Sequence, residues 1–233
     1  MKSKTKILSV LLSFVLLFGV FFGSLFFPSD PDLGWHLKYG ESFFENGKVL
    51  KENTFSRLMS EFKWNNSSWG TDLITFQTYN NFGFLGVSVL SALVVTFTFF
   101  FIGKAAKMDI FEKSVAFPIL LYLTLTVNQI SFRGQLLSLL LIAVMYWALS
   151  LYPDLKNKKL ILLLVPFFTV WSNLHGEFVL GLALFGLWVL IYLAKEFYLD
   201  YRHKLKELIR NEKFLITALL VSCFSVMINP FGL

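Results

Sequence analysis

The sequence predicts an all-α fold: a polytopic membrane helical bundle of about seven transmembrane helices, with amphipathic interfacial helices in the first outer loop. Three observations predict it. Of 233 residues, 56% are hydrophobic and only 15% are charged, whereas a soluble domain carries about 25% charged residues. The mean hydropathy is +0.64, and 28 phenylalanines exceed what one water-soluble core buries. Apolar runs recur at close to the roughly 20-residue length that crosses a hydrocarbon core of about 30 Å. This composition excludes disordered, collagen-like, coiled-coil and disulfide-stapled chains. The lone Cys223 sits in an apolar run and says nothing about redox compartment.

The first run, Ile7–Phe27, follows Lys2, Lys4 and Lys6. It is longer than the apolar stretch of a secretory signal and no A-x-A cleavage site follows, so it reads as an uncleaved span. Later runs occupy about 84–103, 115–130, 134–152, 159–172, 177–195 and 214–228. Pro118 and Pro166 fall in the two weaker runs, where neighbouring helices of a bundle re-satisfy the interrupted backbone. Segment 28–83 forms the long loop after span one. Within it Leu33–Glu45 and about Thr71–Asn81 read as amphipathic helices in the membrane interface, separated by an extended piece at Asn53–Ser56 and a polar turn at Trp64–Trp69. The whole chain, 1–233, reads as a single transmembrane domain.

Charge tests the threading. With the N-terminus cytoplasmic, the inner segments hold 15 of the 21 basic residues, as the positive-inside rule requires. Five of the other six lie in loop 28–83, which also carries seven carboxylates. The net charge of +6 therefore reads as membrane topology rather than nucleic-acid affinity, and the tract Lys195–Lys213 as an orientation signal resting on anionic membrane lipids.

This threading collects polar groups on one side. The outer ends carry Pro28–Lys38, Asn128–Gln135, Trp171–Glu177 and Asn229–Gly232, while the inner loops are Lys-rich and ordinary. Ionisable groups at membrane depth are costly and face cavities or partners, so the four outer turns are expected to line one site. Asp30 and Asp32, two apart across Pro31, can aim at a common Mg²⁺ or Mn²⁺ ion, or one can act as a general base. Capping of the following helix is the competing role. His36, one turn on, is a candidate ligand or acid/base, or else an interfacial histidine. Arg133 is the only charge between about 114 and 153, and its fork fits a phosphate or else snorkels to the headgroups. His175 and Glu177 flank Gly176 and are candidate substrate or metal contacts. No Gly-rich phosphate loop, G-x-S-x-G, H-E-x-x-H or paired C-x-x-C is present.

Asp30-Pro31-Asp32-Leu33-Gly34-Trp35-His36-Leu37, followed by Gly40-Glu41, resembles the D-P-D-x-W-W-H-L-x-x-G-E opening of a group of bacterial multi-pass proteins. These are similar to the GT-C superfamily of lipid-linked-sugar glycosyltransferases, in its protein mannosyltransferase-like branch. Asn53–Ser56 is similar to their D-P-F-S segment, Trp64–Asp72 to a tryptophan-containing turn that ends in an acidic residue, and Phe132–Ser138 to R-P-Q-x-x-S. Trp171–Phe178 resembles W-x-N-L-H-G-G-F, and Asn229–Gly232 resembles N-P-x-G. The ordered set spans about 28–232. It departs from the pattern at Gly34, Asn53 and Glu177.

The resemblance implies a multi-pass glycosyltransferase of the bacterial plasma membrane, with its site on the outer face. A sugar would pass from a polyprenyl-phosphate donor to an acceptor. Asp30 and Asp32 would form the catalytic acidic motif, with or without metal. Arg133, with Lys38, would hold the carrier phosphate, and His36, His175 and Glu177 would contact substrate. Family members are longer, so a C-terminally truncated chain or a minimal module is expected. The alternative is a non-catalytic lipid-carrier-binding or transporter-type protein, or an inactive fragment. No nucleic-acid partner is expected.

Overall fold

The computed structural model describes residues 2–59, 62–124, 132–199 and 205–232; these are helical apart from turns, connecting segments and one isolated bridge between Glu52 and Lys63. The helices are α1 (Lys2–Gly23), α2 (Leu33–Asn46), α3 (Trp69–Ala105), α4 (Ile110–Leu123), α5 (Gly134–Leu151), α6 (Leu164–Leu174), α7 (Phe178–Leu199), α8 (Leu205–Asn211) and α9 (Lys213–Ser225). Among the described residues, three stretches are long and apolar enough to cross a membrane: Trp69–Ala105, Gly134–Asp154 and Phe178–Tyr198. Ile7–Gly23 and Lys213–Ser225 are apolar but shorter. Large apolar side chains face outward along these helices, among them Phe14, Leu190 and Phe224. Such a surface suits hydrocarbon rather than water.

Local sequence explains the boundaries. Helix α2 ends at Gly47, whose φ of 64° is left-handed and whose N–H reaches the Phe43 carbonyl. Helix α4 opens on a capping box, in which Asp109 and Glu112 exchange side-chain and backbone bonds at 2.8 Å.

One expected division holds and one boundary moves. The amphipathic helix at Thr71–Asn81 and the apolar run at 84–103 meet at Gly83, where α3 leaves helical geometry. There φ is 61° and ψ is −158°, a conformation open to glycine alone. The run 159–172 is not α-helical throughout. Lys158–Leu163 winds as a 3-10 helix, and the α-helix begins only at Leu164. Pro166 accounts for this: it lacks an N–H and crowds the carbonyl four residues back, but is tolerated in a first helical turn. The run 115–130 continues past α4 into 125–131, which lie outside the described residues, as do Asn128, Gln129 and Ser131 of the second outer turn and Arg202 and Lys204 of the basic tract.

Helix α5 stands between two buried clusters. On one side Leu136 packs with Val20, Val87, Phe99, Phe117 and Phe132 from α1, α3, α4 and the segment before α5. On the other, Met145 and Leu149 pack with Phe168, Trp171, Phe185 and Leu215 from α6, α7 and α9. Phe168 stacks between Trp171 and Phe185, with centroids 5.6 and 5.9 Å away and rings within 13° of parallel. Gly181 makes room for this stack, because a Cβ there would lie 2.4 Å from the Trp171 ring.

Long-range bonds sort the helix ends. At one end Arg133 meets Asp30, Thr71 Oγ1 donates to the Leu174 carbonyl at 2.6 Å, and Asn173 Nδ2 donates to the Ile228 carbonyl at 2.8 Å. At the other, the Lys-rich side is less ordinary than its sequence implies. The buried Glu212, between α8 and α9, accepts from Tyr152 Oη and from Lys158 Nζ, each at 2.5 Å. This carboxylate fastens the end of α5 and the 3-10 turn to α9.

Gly181→Ala is expected to lower thermal stability in detergent by about 1–3 kcal/mol through overpacking against Trp171. Gly186→Ala, whose added methyl would meet only Leu219 at 4.0 Å, is expected to leave the melting curve in place.

Candidate functional site

The turn between α1 and α2 sets the centre of the site. Asp30 Oδ1 accepts the Asp32 N–H at 2.8 Å, a local turn bond of the kind Asx residues make. The Asp30 side chain is wholly buried, and its other oxygen pairs with Arg133 Nε. Asp32 begins α2 without a side-chain cap bond. Its Oδ2 instead takes Arg133 Nη2 at 2.8 Å. One guanidinium therefore bridges both carboxylates across about a hundred residues of sequence, with one positive charge against two negative ones. Arg133 reaches them because it stands in extended backbone (φ −133°, ψ 163°) immediately before α5.

This arrangement does not suit a divalent cation. The guanidinium takes an oxygen of each aspartate, and the described residues contain no group of three His, Cys, Asp or Glu placed to hold a metal. Asp30 and Asp32 as arranged are partners of Arg133.

His36 faces away from its own turn towards α3. Its Nδ1 lies 2.7 Å from Asp72 Oδ1, and Asp72 Oδ2 accepts the Asn66 amide at 2.6 Å. The Asp72 side chain is 3% exposed and sits in the first turn of α3. Sequence reading treats Asp72 only as the end of a tryptophan turn, because a carboxylate in a first helical turn is an ordinary dipole partner. The available signal was its position ahead of a long apolar helix, where a buried charge needs a partner. Burial disfavours the charged imidazole of His36. The hydrogen bond and charge of Asp72, with the charge of Asp30 added and that of Arg133 opposing, outweigh it and hold the group above its ordinary 6.5.

A cavity of about 380 Å³ opens beside these groups, lined by Asp32, Trp35, His36, Asn53, Met59, Phe62, Trp64, Asn66 and Asp72. Its aromatic wall is rigid: Trp35 and Trp64 meet edge to face at 6.4 Å, and Tyr39 braces Trp64 at 5.3 Å while donating to the Leu50 carbonyl.

His175 occupies the opposite flank in a different state. Trp171 Nε1 can only donate, and it donates to Ser138 Oγ at 3.0 Å. Ser138 Oγ also lies 3.1 Å from His175 Nδ1. The Glu177 N–H donates to that nitrogen at 3.4 Å, so the neutral ring carries its proton on Nε2. Burial holds it below its ordinary 6.5; the Glu177 charge opposes this and the His36 charge adds to it. Ser138, His175 and Glu177 do not form a nucleophilic triad, because Ser138 and Glu177 address the same ring nitrogen, Glu177 at 3.6 Å, and Ser138 is fully buried. The ring packs flat against the start of α5. A Cβ on Gly134 would lie 2.1 Å from His175 Cδ2, so glycine beside Arg133 is a steric requirement. Gly70 plays the same part for α3, where a Cβ would lie 2.5 Å from the Asn173 carbonyl.

The other candidates are placed as follows. Lys38 pairs with Glu41 at 2.5 Å on the exposed side of α2 and does not line the cavity. Glu177 is partly exposed at the α6–α7 turn. Asn229 closes its own turn by accepting the Phe231 N–H and donating to the Val226 carbonyl. A second, apolar groove of about 550 Å³ runs between α3, α4 and α5, with Phe99, Leu120, Leu139 and Ile142 among its walls. Leu136, one turn beyond Arg133, also lines it.

No known protein family, curated protein or solved structure matches the chain.

The two described histidines are expected to titrate on opposite sides of 6.5 in an NMR pH series, His36 above and His175 below. Asp72→Asn should move the His36 midpoint down and leave that of His175 nearly unchanged. The sign for stability follows from linkage. The protonated His36–Asp72 pair contributes fully below the ordinary histidine value, and its contribution is lost as pH rises through the higher folded-state value. The pH profile of unfolding for His36→Gln should lack that component.

Proposed function

We propose that the chain is a glycosyltransferase-like protein that passes a sugar from a polyprenyl-phosphate donor to an acceptor on the extracytoplasmic face of the bacterial plasma membrane. The observation that carries this reading is the guanidinium of Arg133. It holds Asp32, which lines the aromatic-walled cavity, and stands one turn before Leu136, which lines the apolar groove. A lipid-linked sugar phosphate has the same three parts in the same order: an apolar tail, an anion and a hydroxylated ring. The distribution of lysine and arginine supports seven crossings with the N-terminus cytoplasmic, which puts this guanidinium on the outer side.

In this reading the carboxylates have unequal tasks. Asp30, buried, keeps Arg133 Nε oriented and is a positioning residue. The Asp32 side chain is 61% exposed, so it is the partner that an arriving phosphate displaces from Nη2. The guanidinium then stabilises charge as the carrier phosphate leaves. His175 offers Nε2–H beside Arg133 as a neutral donor, and the tail lies along the groove.

With purified protein in detergent and undecaprenyl-phosphate glucose, galactose and mannose as donors, release of undecaprenyl phosphate is the expected signal. Arg133→Gln should reduce it by roughly 100- to 1,000-fold, as removal of a transition-state charge partner does. Asp30→Asn should behave similarly while the protein still folds. Binding of all three donors without release, unchanged by Arg133→Gln, would sink the transferase reading.

A further inference from the structure

We propose that His36 is the proton acceptor for a hydroxyl group held in the aromatic-walled cavity, with Asp72 and Asn66 as positioning residues. The inference rests on the transferase reading above and moves the base away from the Asp30–Asp32 pair.

The geometry separates the two ring nitrogens. Nδ1 is committed to Asp72 at 2.7 Å, and Asp72 is itself held by Asn66 at 2.6 Å. Because a carboxylate only accepts, the neutral ring carries its proton on Nδ1 and its lone pair on Nε2. Nε2 has no hydrogen-bond partner among the described residues, and the His36 side chain lines the cavity while remaining 26% exposed. Asp72 can neutralise an imidazolium as it forms, and its burial makes that interaction stronger than it would be in water. Asp30 and Asp32 each already give an oxygen to the guanidinium. The exposed face of Trp35 beside His36 suits the C–H face of a hydroxylated ring.

The step balances as follows. The acceptor oxygen forms a bond to the anomeric carbon of the donor, and its proton passes to His36 Nε2. The bond from the anomeric carbon to the phosphate oxygen breaks, and the polyprenyl phosphate leaves with the electron pair against Arg133. Imidazolium returns the proton to water after release.

Two measurements test this. Diethyl pyrocarbonate acylates an unprotonated imidazole nitrogen, so peptide mass spectrometry reads the geometry without turnover. At a pH above the His36 midpoint, His36 is expected to be modified well ahead of His175, whose side chain is less exposed. Turnover of the three undecaprenyl-phosphate hexoses reads the role. His36→Gln is expected to lower kcat by roughly 100- to 10,000-fold with KM little changed, and added imidazole to restore part of the rate of His36→Ala. Turnover that survives His36→Gln overturns the proposal, as does a His36 that resists modification while the wild type turns over. If the wild type releases carrier phosphate from none of the three donors, the transferase reading fails, and the proton-acceptor role falls with it.

Discussion

The bridge from Arg133 to Asp30 and Asp32 is the constraint on which the candidate site depends. It joins the turn after α1 to the start of α5, two places about a hundred residues apart. Asp30 is buried, and an uncompensated buried carboxylate costs several kcal/mol, so removal of the arginine lowers stability while the fold persists. The same bridge fixes where α2 begins, because Asp32 is drawn to the guanidinium instead of capping its own helix. Since α2 carries Trp35 and His36, the cavity inherits its position from this one cation. Net stabilisation from such a bridge is small, because desolvation offsets most of the attraction. Its contribution is to exclude other registers of the α1–α2 turn.

Two histidines then take opposite chemical states from their neighbours. His36 faces a carboxylate, which holds a proton on Nδ1 and favours the charged ring. His175 Nδ1 accepts the Glu177 N–H, and burial favours the neutral ring. Identical side chains are therefore pushed towards opposite charge states. For His36 the deciding partner is distant in sequence, since Asp72 lies more than thirty positions on.

The far end of the bundle has a buried charge of its own. Glu212 binds Tyr152 and Lys158 and so gathers the end of α5, the 3-10 turn and α9. Trp188 and Tyr192 of α7 stack at 5.1 Å beside this knot. With α5 anchored by Arg133 at one end and by Tyr152 at the other, it is the element both buried clusters share. Its first turn is correspondingly intolerant of added volume, as the contact of Gly134 with His175 shows.

Composition and hydrophobic run length determined the helical, membrane-suited character of the chain, because the transfer energy of apolar surface is a local, additive property. The amphipathic stretch of α2 and its stop near Gly47 were legible for the same reason. So was the clustering of polar residues at one set of helix ends, which follows from alternation along a bundle. Partners were not legible. Gly83 breaks the helix where the sequence divides it, whereas Pro166 delays an α-helix that the apolar run extends, because that depends on how neighbouring segments pack. Asp72 and Ser138 stood only as members of motifs, and Glu212 as one charge of an inner loop. Each proved to be a buried partner, and burial with hydrogen bonding is decided between elements distant in sequence. The sequence by itself determined which groups would be costly at membrane depth; only the tertiary structure decided which of them satisfy one another, since that depends on distances that no run of residues encodes alone.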